Sequence, residues 1–399
     1  MQRHSFFFLI PVLMILSCSR PKSPAATGAC AKIAAQTSNA VLHDWGKIYR
    51  SADEYCMIAP ATEADIGGVL RAADQASVHV RVRGRGHSMN GTSLPRAGEV
   101  LLSTQNIRHY TWKNPNEIIV GAGISIYSVH EWLKKRRATL PIFNDGVLGP
   151  SVGGYISASG IGTRSAVHGG FWENVTYISL IDATGKTHRI ERKDPLFRWI
   201  FGSMGQFGVI YEAGLRVIPE AGITFKPSAG TIEEEWENTP DAAARKKEFE
   251  ASRLTWFTVI APAERREELK KDLQEIKAAH ADAMRFIPDY HWPIKLGEFT
   301  PPLFYPEHRA LICIGIWGYG NPGDVNLQEK LFRLNEAVFA LLRKKKYYRR
   351  YIQAEPVRTT TDWQQYWGAE TFTRFADLRK TLNPQGTLNE NCIFGCVGS

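Results

Sequence analysis

The spacing of apolar residues in the first half of the chain predicts helices that alternate with short strands. A capping box at Thr62 and Asp65 predicts a helix that begins there and ends near Ser77, because apolar residues follow at helical spacing. After Gly123 the helical spacing returns and predicts a second helix up to about Arg137. Runs rich in β-branched and other apolar residues predict three strands, over 78–82, 100–103 and 118–120.

The second half of the chain predicts a hairpin, a domain boundary and then a separate α+β unit. Two apolar runs flank the turn residues 183–186 and predict a β-hairpin, which a strand over 209–217 follows. Pro219 and the loose segment up to Thr239 predict a boundary. Strands and helices then alternate over 254–260, 263–280, 310–317 and 326–346, before a last helix over 372–382. The predicted fold class is α+β.

Composition is typical of a globular protein and argues against a nucleic-acid partner. With 399 residues, of which 44% are hydrophobic, the chain is long enough for one large core or two ordinary ones. The formal net charge of +9 raises the question of an anionic partner. A nucleic-acid interface needs aromatic residues interleaved with the charge on one element, and only Tyr347, Tyr348 and Tyr351 approach that pattern. We therefore interpret the basic clusters as solvated helix surface.

The N-terminus has the features of an export signal. Arg3 and His4 precede an apolar stretch, too short to span a bilayer, that ends at Ser17 and Cys18. This end resembles a bacterial lipobox, in which Cys18 becomes the lipidated first residue; an ordinary signal peptide cleaved nearby is the alternative. We predict a signal peptide over 1–18, a tether over 19–42 and an outer-membrane lipoprotein facing the periplasm. Export implies an oxidising compartment, so the later cysteines are candidates for disulfides of unknown pairing.

Two glycine-rich stretches carry the candidate chemistry. In the run from Gly84 to Ser88, a strand pattern breaks into alternating glycine and positive charge, and His87 follows. Glycine lets the backbone approach a ligand closely, and successive N–H groups in such a turn bind anionic phosphate. The second stretch, 146–170, mixes small and apolar residues, which predicts tight packing around a bound ligand, or else a simple packing turn.

Four motifs in family order make the chain resemble the FAD-linked flavoproteins of the vanillyl-alcohol-oxidase type, and most of all the cytokinin dehydrogenases. They are Gly84-Arg85-Gly86-His87-Ser88, Ser151-Val152-Gly153-Gly154, Ser157-Ala158-Ser159-Gly160-Ile161-Gly162 and Gly205-Gln206-Phe207-Gly208-Val209-Ile210. The resemblance covers 46–220 and returns weakly over 372–394. It implies a PCMH-type FAD-binding domain over 43–220, a smaller, shortened substrate domain over 221–365, and a C-terminal segment over 366–399 that returns to the first domain.

The resemblance also implies which residues bind FAD. His87 falls on the attachment point for the 8α-methyl group, so we expect covalent FAD; a hydrogen-bonded histidine beside noncovalent FAD is the alternative. A second link through cysteine, found in many relatives, is not expected, because Gly149, Pro150 and Ser151 occupy those positions. The other implied cofactor contacts are Val82, Gly84, Arg85, Gly86, Ser88, Thr92, Asp145, Ser151, Ser157, Ile161, Ile210 and Asn391.

Asp145 is the candidate catalytic residue. Cytokinin dehydrogenases have an aspartate in a similar motif, and its carboxylate accepts a hydrogen bond from the amine of the substrate. The motif here differs, since Phe143 and Asn144 replace the usual Trp-Thr, and Asp145-Gly146 is also typical of a plain turn. Thr92 likewise stands where the family usually has glutamine.

The predicted activity is removal of hydride from a carbon bonded to nitrogen, which converts an N6-substituted adenine to adenine and an aldehyde. A sugar or alcohol oxidase is the alternative, with His168, His291 or Tyr290 as the base, and so is a flavin-binding protein without turnover. We expect a small-molecule substrate, oxygen or a quinone as electron acceptor, no metal site, and membrane contact only through the lipid on Cys18. Five tryptophans are candidates for a flat-ring pocket or for core packing: Trp256, Trp292, Trp317, Trp363 and Trp367.

Overall fold

The structure is a computed structural model that describes residues 30–144, 149–233, 253–352 and 360–389. It has a mixed α+β architecture with several sheets, which confirms the predicted fold class. Within these residues, no helix combines the length and apolar character needed to cross a membrane. The division into an FAD-binding domain and a substrate domain stays a prediction, and Cys18 lies outside the described residues.

The first sheet brings two strand ends together at one edge. Its strand order is β1-β2-β4-β3, and β4 pairs in parallel with both β2 and β3. Thr62 caps the helix α1 that connects β2 to β3, and the capping box with Asp65 is confirmed. The elements are β1 (Gln36–Ser38), β2 (Tyr55–Ile58), α1 (Glu63–Gln75), β3 (Val80–Arg83) and β4 (Val100–Ser103).

The second sheet has six antiparallel strands in the order β12-β5-β6-β10-β8-β9. Its members are β5 (His109–Asn114), β6 (Glu117–Gly121), β8 (Val175–Ile181), β9 (Thr187–Glu191), β10 (Val209–Arg216) and β12 (Ser228–Thr231). Strands β8 and β9 pair as the predicted hairpin. A two-stranded sheet joins β7 (Ala138–Thr139) to β11 (Ile218–Pro219). The helices of this part are α2 (Ile126–Lys134), α3 (Val152–Ser157), α4 (Ser165–His168) and α5 (Phe197–Ile200).

The third sheet contains the long antiparallel pair β13 and β16, with shorter strands beside it. Its strands are β13 (Arg253–Pro262), β14 (Arg285–Phe286), β15 (Tyr290–Ile294), β16 (Leu311–Gly320) and β17 (Arg349–Arg350). The accompanying helices are α6 (Arg266–Ala279), α7 (Leu327–Lys344), α8 (Thr360–Trp367) and α9 (Ala369–Leu382). Apolar residues of the second and third sheets form one continuous core, whereas those around the first sheet form a separate cluster.

The cysteines show one disulfide in the described part of the chain. Cys30 is bonded to Cys56, so the segment before β1 is tied to β2 in the first sheet. Cys313 is buried and free, and burial raises the pKa of its thiol well above its usual range. Cys392 and Cys396 lie outside the described residues.

Candidate functional site

A cleft lies where residues of the three sheets meet. Eleven of the thirteen residues predicted from the sequence line it: Val82, Gly84, Arg85, Gly86, His87, Ser88, Thr92, Ser151, Ser157, Ile161 and Ile210. The other two, Asp145 and Asn391, lie outside the described residues. Arg85 is the one permanently charged side chain among the described residues that line the cleft. The structure thus brings the predicted positions together, and their roles stay predictions.

The loop after β3 needs glycine at two positions. An ideal Cβ on Gly84 would lie 2.1 Å from Oγ of Ser151, so a side chain there would displace that hydroxyl. Gly86 has a φ of +66°, and a Cβ there would meet the Arg83 guanidinium at 2.2 Å. Arg83 in turn donates hydrogen bonds to the His43 carbonyl (3.0 Å) and to Oγ of Ser93 (3.0 Å). The glycines therefore keep the backbone close to the cleft.

His87 packs against an aromatic side chain from the preceding segment. The Trp45 ring lies 4.1 Å from the imidazole of His87, centroid to centroid, with 44° between the planes. The backbone N–H of Trp45 donates to the Ser88 carbonyl (3.0 Å), and the hydroxyls of Ser88 and Ser93 are 3.0 Å apart. These contacts fix the imidazole at the wall of the cleft.

Asp44 anchors the segment that carries Trp45. Its Oδ1 accepts the backbone N–H groups of Ile48 (2.9 Å) and Tyr49 (3.1 Å). Burial raises the pKa of Asp44 to about 6, although these N–H groups and the Arg83 charge act in the opposite direction. Burial also lowers the pKa of the Arg83 guanidinium.

The second glycine-rich stretch forms a short helix and a tight turn at the cleft. Ser151 caps α3 and its Oγ accepts the N–H of Gly154 (3.2 Å). An ideal Cβ on Gly153 would lie 3.0 Å from the Ala122 methyl group, so the absence of a side chain at Gly153 lets α3 pack against the second sheet. Tyr155 donates its hydroxyl to the Ile161 carbonyl (2.6 Å) and closes the turn that follows.

Ring stacking holds the segment that ends at Asn144. Phe143 stacks on His130 with ring centroids 3.6 Å apart and 14° between the planes. Burial lowers the pKa of His130 to about 4, so this imidazole is neutral near pH 7. Asn144, which precedes Asp145 in the chain, lines the cleft.

The cleft wall also includes residues that the sequence analysis did not assign to cofactor binding, among them Asn389, Trp256, Tyr351 and Thr104. Asn389 accepts the N–H of Val82 at Oδ1 (2.9 Å) and donates from Nδ2 to the Gly205 carbonyl (2.8 Å). Trp256 and Tyr351 form the wall contributed by the third sheet, and Thr104 follows β4. Trp256 had been named only as a possible pocket residue. A polar residue at the end of a parallel strand was the available signal for Thr104.

The three alternative bases are not among the residues that line this cleft. Tyr290 donates to or accepts from Oγ1 of Thr258 and accepts the indole N–H of Trp256, and burial raises the Tyr290 pKa well above its usual range. His168 lies 3.1 Å from an Arg164 guanidinium nitrogen and lines a different, open cleft, where burial and the Arg164 charge lower its pKa. His291 is on β15 and does not line the cleft that contains His87.

The lining residues fit a dinucleotide cofactor. Glycines at 84, 86, 153, 154, 205 and 208 leave the backbone accessible, and an extended cofactor needs such close approach. The Thr104 hydroxyl is buried and has no hydrogen-bond partner among the described residues, as expected of a group whose partner is a ligand. Within the described residues, no group of three or more His, Cys, Asp or Glu side chains is arranged to hold a metal ion.

Comparisons with known proteins agree with this fit. Residues 55–191 match the FAD binding domain family. The chain is 24% identical over 179 residues to D-lactate dehydrogenase of Archaeoglobus fulgidus, covering 43% of this chain and 40% of the relative. It is 31% identical over 190 residues to cytokinin dehydrogenase 7 of Oryza sativa subsp. japonica, covering 44% and 35% respectively. For cytokinin dehydrogenase 1 of Arabidopsis thaliana the identity is 29% over 189 residues, covering 45% and 32%.

The matched segment therefore spans less than half the length of these curated relatives. The comparisons support the resemblance to FAD-linked oxidoreductases.

Proposed function

We propose that the chain is an exported FAD-dependent oxidoreductase that removes hydride from a carbon bonded to nitrogen, because residues 55–191 match the FAD binding domain family. The observation that carries the proposal is the convergence of eleven predicted positions on one cleft. FAD, when bound there, supplies the hydride acceptor. By resemblance to the cytokinin dehydrogenases, the substrate is an N6-substituted adenine, and the products are adenine and an aldehyde.

Three parts of the cleft have proposed roles in binding the cofactor. His87 is the proposed covalent anchor, and the Trp45 ring 4.1 Å away restrains its imidazole. The loop from Gly84 to Ser88 is proposed to bind the pyrophosphate through its backbone. Trp256 and Tyr351 contribute aromatic surface to the cleft wall, and their proposed role is to restrict the entry of water.

Asp145 is the proposed partner of the reacting amine. As hydride leaves the carbon beside nitrogen, positive charge develops on that nitrogen, and a carboxylate within hydrogen-bond reach stabilises it or takes the proton. The resulting imine then reacts with water to release the amine and the aldehyde. Support comes from Asn144, the preceding residue, which lines the cleft, and from the Phe143–His130 stack that holds this segment.

Oxidation of a carbon that bears a hydroxyl group is the second candidate. The relative named D-lactate dehydrogenase favours a 2-hydroxy acid, and so does Arg85, whose positive charge would attract a carboxylate. This extends the alternative of a sugar or alcohol oxidase. A flavin-binding protein without turnover is the remaining alternative.

Anaerobic mixing of the purified protein with isopentenyladenine, D-lactate, sugars and alcohols tests these candidates, with flavin absorbance as the readout. Bleaching by isopentenyladenine supports the leading proposal, and bleaching only by D-lactate, sugars or alcohols supports the second. A yellow protein that no compound bleaches is a binding protein. A colourless protein that takes up no FAD contradicts all three.

We also propose that the protein is a periplasm-facing lipoprotein attached through Cys18, with oxygen or a quinone as electron acceptor. The Cys30–Cys56 disulfide supports an oxidising compartment. Membrane fractionation of wild type and a Cys18→Ser variant is the test. Equal membrane association of the two would contradict lipid attachment.

A further inference from the structure

The sheet register places Thr104 beside the first glycine of the His87 loop. Strands β3 and β4 run in parallel, with Arg83 opposite Ser103, so the next residues, Gly84 and Thr104, leave the same edge of the sheet together. The backbone N–H of Thr104 donates to the Arg83 carbonyl (3.0 Å), which extends this pairing by one residue. Thr104 therefore enters the cleft from the strand next to the loop.

The side chain of Thr104 has the properties of a ligand-binding group. Thr104 is 5% exposed and lines the cleft, and its Oγ1 has no hydrogen-bond partner among the described residues. Buried hydroxyl groups are nearly always hydrogen-bonded, because leaving one without a partner is costly. A ligand that supplied an acceptor here would remove that cost.

The hydroxyl of Ser151 also lies near Gly84. An ideal Cβ on Gly84 would lie 2.1 Å from Oγ of Ser151 and 3.8 Å from Oγ1 of Thr104, so both hydroxyls lie close to this glycine. Oγ of Ser151 accepts the N–H of Gly154 (3.2 Å), which leaves the hydroxyl proton available to donate. Two hydroxyl donors beside a glycine backbone form a site suited to an oxyanion.

We propose that Thr104 is a cofactor-binding residue whose hydroxyl donates a hydrogen bond to the pyrophosphate of FAD. The proposal rests on the proposed function. It adds a residue that the resemblance does not supply. It also explains why a polar side chain is buried at this position with no hydrogen-bond partner in the described part of the chain.

The test compares Thr104→Val and Thr104→Ser in a His87→Ala background, where FAD binding is reversible. Valine keeps the shape and removes the hydroxyl. We expect FAD to bind about 10-fold more weakly to Thr104→Val, and the melting temperature of the FAD-free protein to stay the same or rise. Serine is expected to restore the affinity. The affinity for ADP, which carries the pyrophosphate without the flavin ring, should fall in parallel.

Thr387→Val is the matched control. Thr387 is equally buried, but its hydroxyl donates to Oδ1 of Asp74 (2.9 Å) outside the cleft. We expect this variant to lower the melting temperature and leave FAD affinity unchanged. A Thr104→Val variant that binds FAD or ADP as tightly as its parent overturns the role given to Thr104 and does not contradict the proposed function. A parent and wild type that both take up no FAD contradict the proposed function, and the assignment with it.

Discussion

Asn389 accepts a hydrogen bond from the backbone N–H of Val82 across 307 residues of sequence. The same amide donates to the Gly205 carbonyl, and the Asn389 carbonyl accepts the side-chain N–H of Gln206 (2.6 Å). One buried side chain thus joins the end of β3 to the loop before β10. Asn389 therefore forms part of the cleft wall although it is distant in sequence from β3.

Replacement of Asn389 by alanine should destabilise the protein. The variant leaves the Val82 N–H and the Gly205 carbonyl without this partner, and we expect the free energy of unfolding to fall by about 1–3 kcal/mol. Urea denaturation monitored by tryptophan fluorescence measures it. Asn321→Ala, in an exposed turn, is the control and should change stability by less than about 0.5 kcal/mol. Equal effects of the two substitutions would contradict the role given to Asn389.

Gly84→Ala should reduce the FAD content of the purified protein. The new methyl group would lie 2.1 Å from Oγ of Ser151, so the serine has to leave its place at the cleft or the loop has to shift. The ratio of flavin to protein absorbance measures the loss. Gly68→Ala is the matched control, because nothing lies within 4 Å of its Cβ position in α1. That variant should keep its flavin and gain about 0.5–1 kcal/mol of stability; a flavin content that is also normal in Gly84→Ala would count against the steric argument.

His87→Ala should release FAD on acid precipitation, whereas wild type should keep it in the pellet. The reason is the proposed covalent bond between the imidazole and the flavin. Absorbance of the supernatant after trichloroacetic acid treatment measures the released flavin. Wild-type protein that releases all of its flavin would show that FAD is noncovalent. Flavin retained by His87→Ala, or a cysteinyl-flavin peptide in mass spectrometry, would place the anchor elsewhere.

Much of the fold was predictable because its signals are local. The capping box at Thr62 and the hairpin around 183–186 depend on residues a few positions apart, and both are confirmed. Strand β5 escaped prediction because its sequence is polar and only Trp112 in it is buried. The sequence over 194–201 also predicts a short helix, and the structure limits that helix to Phe197–Ile200, since the backbone is already extended at Phe201.

The cleft could be predicted only in part, because only some of its residues belong to local motifs. The residues from Gly84 to Ser88 form a contiguous motif, so the sequence was sufficient to find them. The roles of Asn389 and Thr104 depend on contacts between distant segments and on the register of β3 with β4. The wall formed by Trp256 and Tyr351 likewise depends on how the third sheet packs on the cleft.

Asp44→Asn should change how stability depends on pH. Burial raises the pKa of Asp44 from 3.8 to about 6, so between these values the folded protein holds a proton that the unfolded chain releases. The contribution of Asp44 to stability is therefore largest below pH 3.8 and falls as the pH rises to about 6. Asparagine keeps the acceptor for Ile48 and Tyr49 and cannot ionise.

We expect the stability of the Asp44→Asn variant not to decline over this pH range. Above pH 6 its free energy of unfolding should exceed that of wild type by up to about 3 kcal/mol. Urea denaturation of both proteins across pH 4–8 measures the difference. Asp53→Asn is the control, because Asp53 is exposed and pairs with Arg50 at the surface. Parallel pH profiles for wild type and Asp44→Asn would show that this carboxyl does not titrate as described.

Asp145→Asn should slow flavin reduction while FAD stays bound. Asparagine keeps the size of the side chain but cannot stabilise the positive charge that develops on the substrate nitrogen, so we expect reduction to slow by about 100-fold or more. Stopped-flow mixing under anaerobic conditions, with the substrate that bleaches wild type, measures the rate. Asn144→Ala is the control, since its side chain lines the cleft without a carboxylate, and it should affect substrate affinity more than the limiting rate. An unchanged reduction rate in Asp145→Asn would remove this residue from the mechanism and favour the turn interpretation.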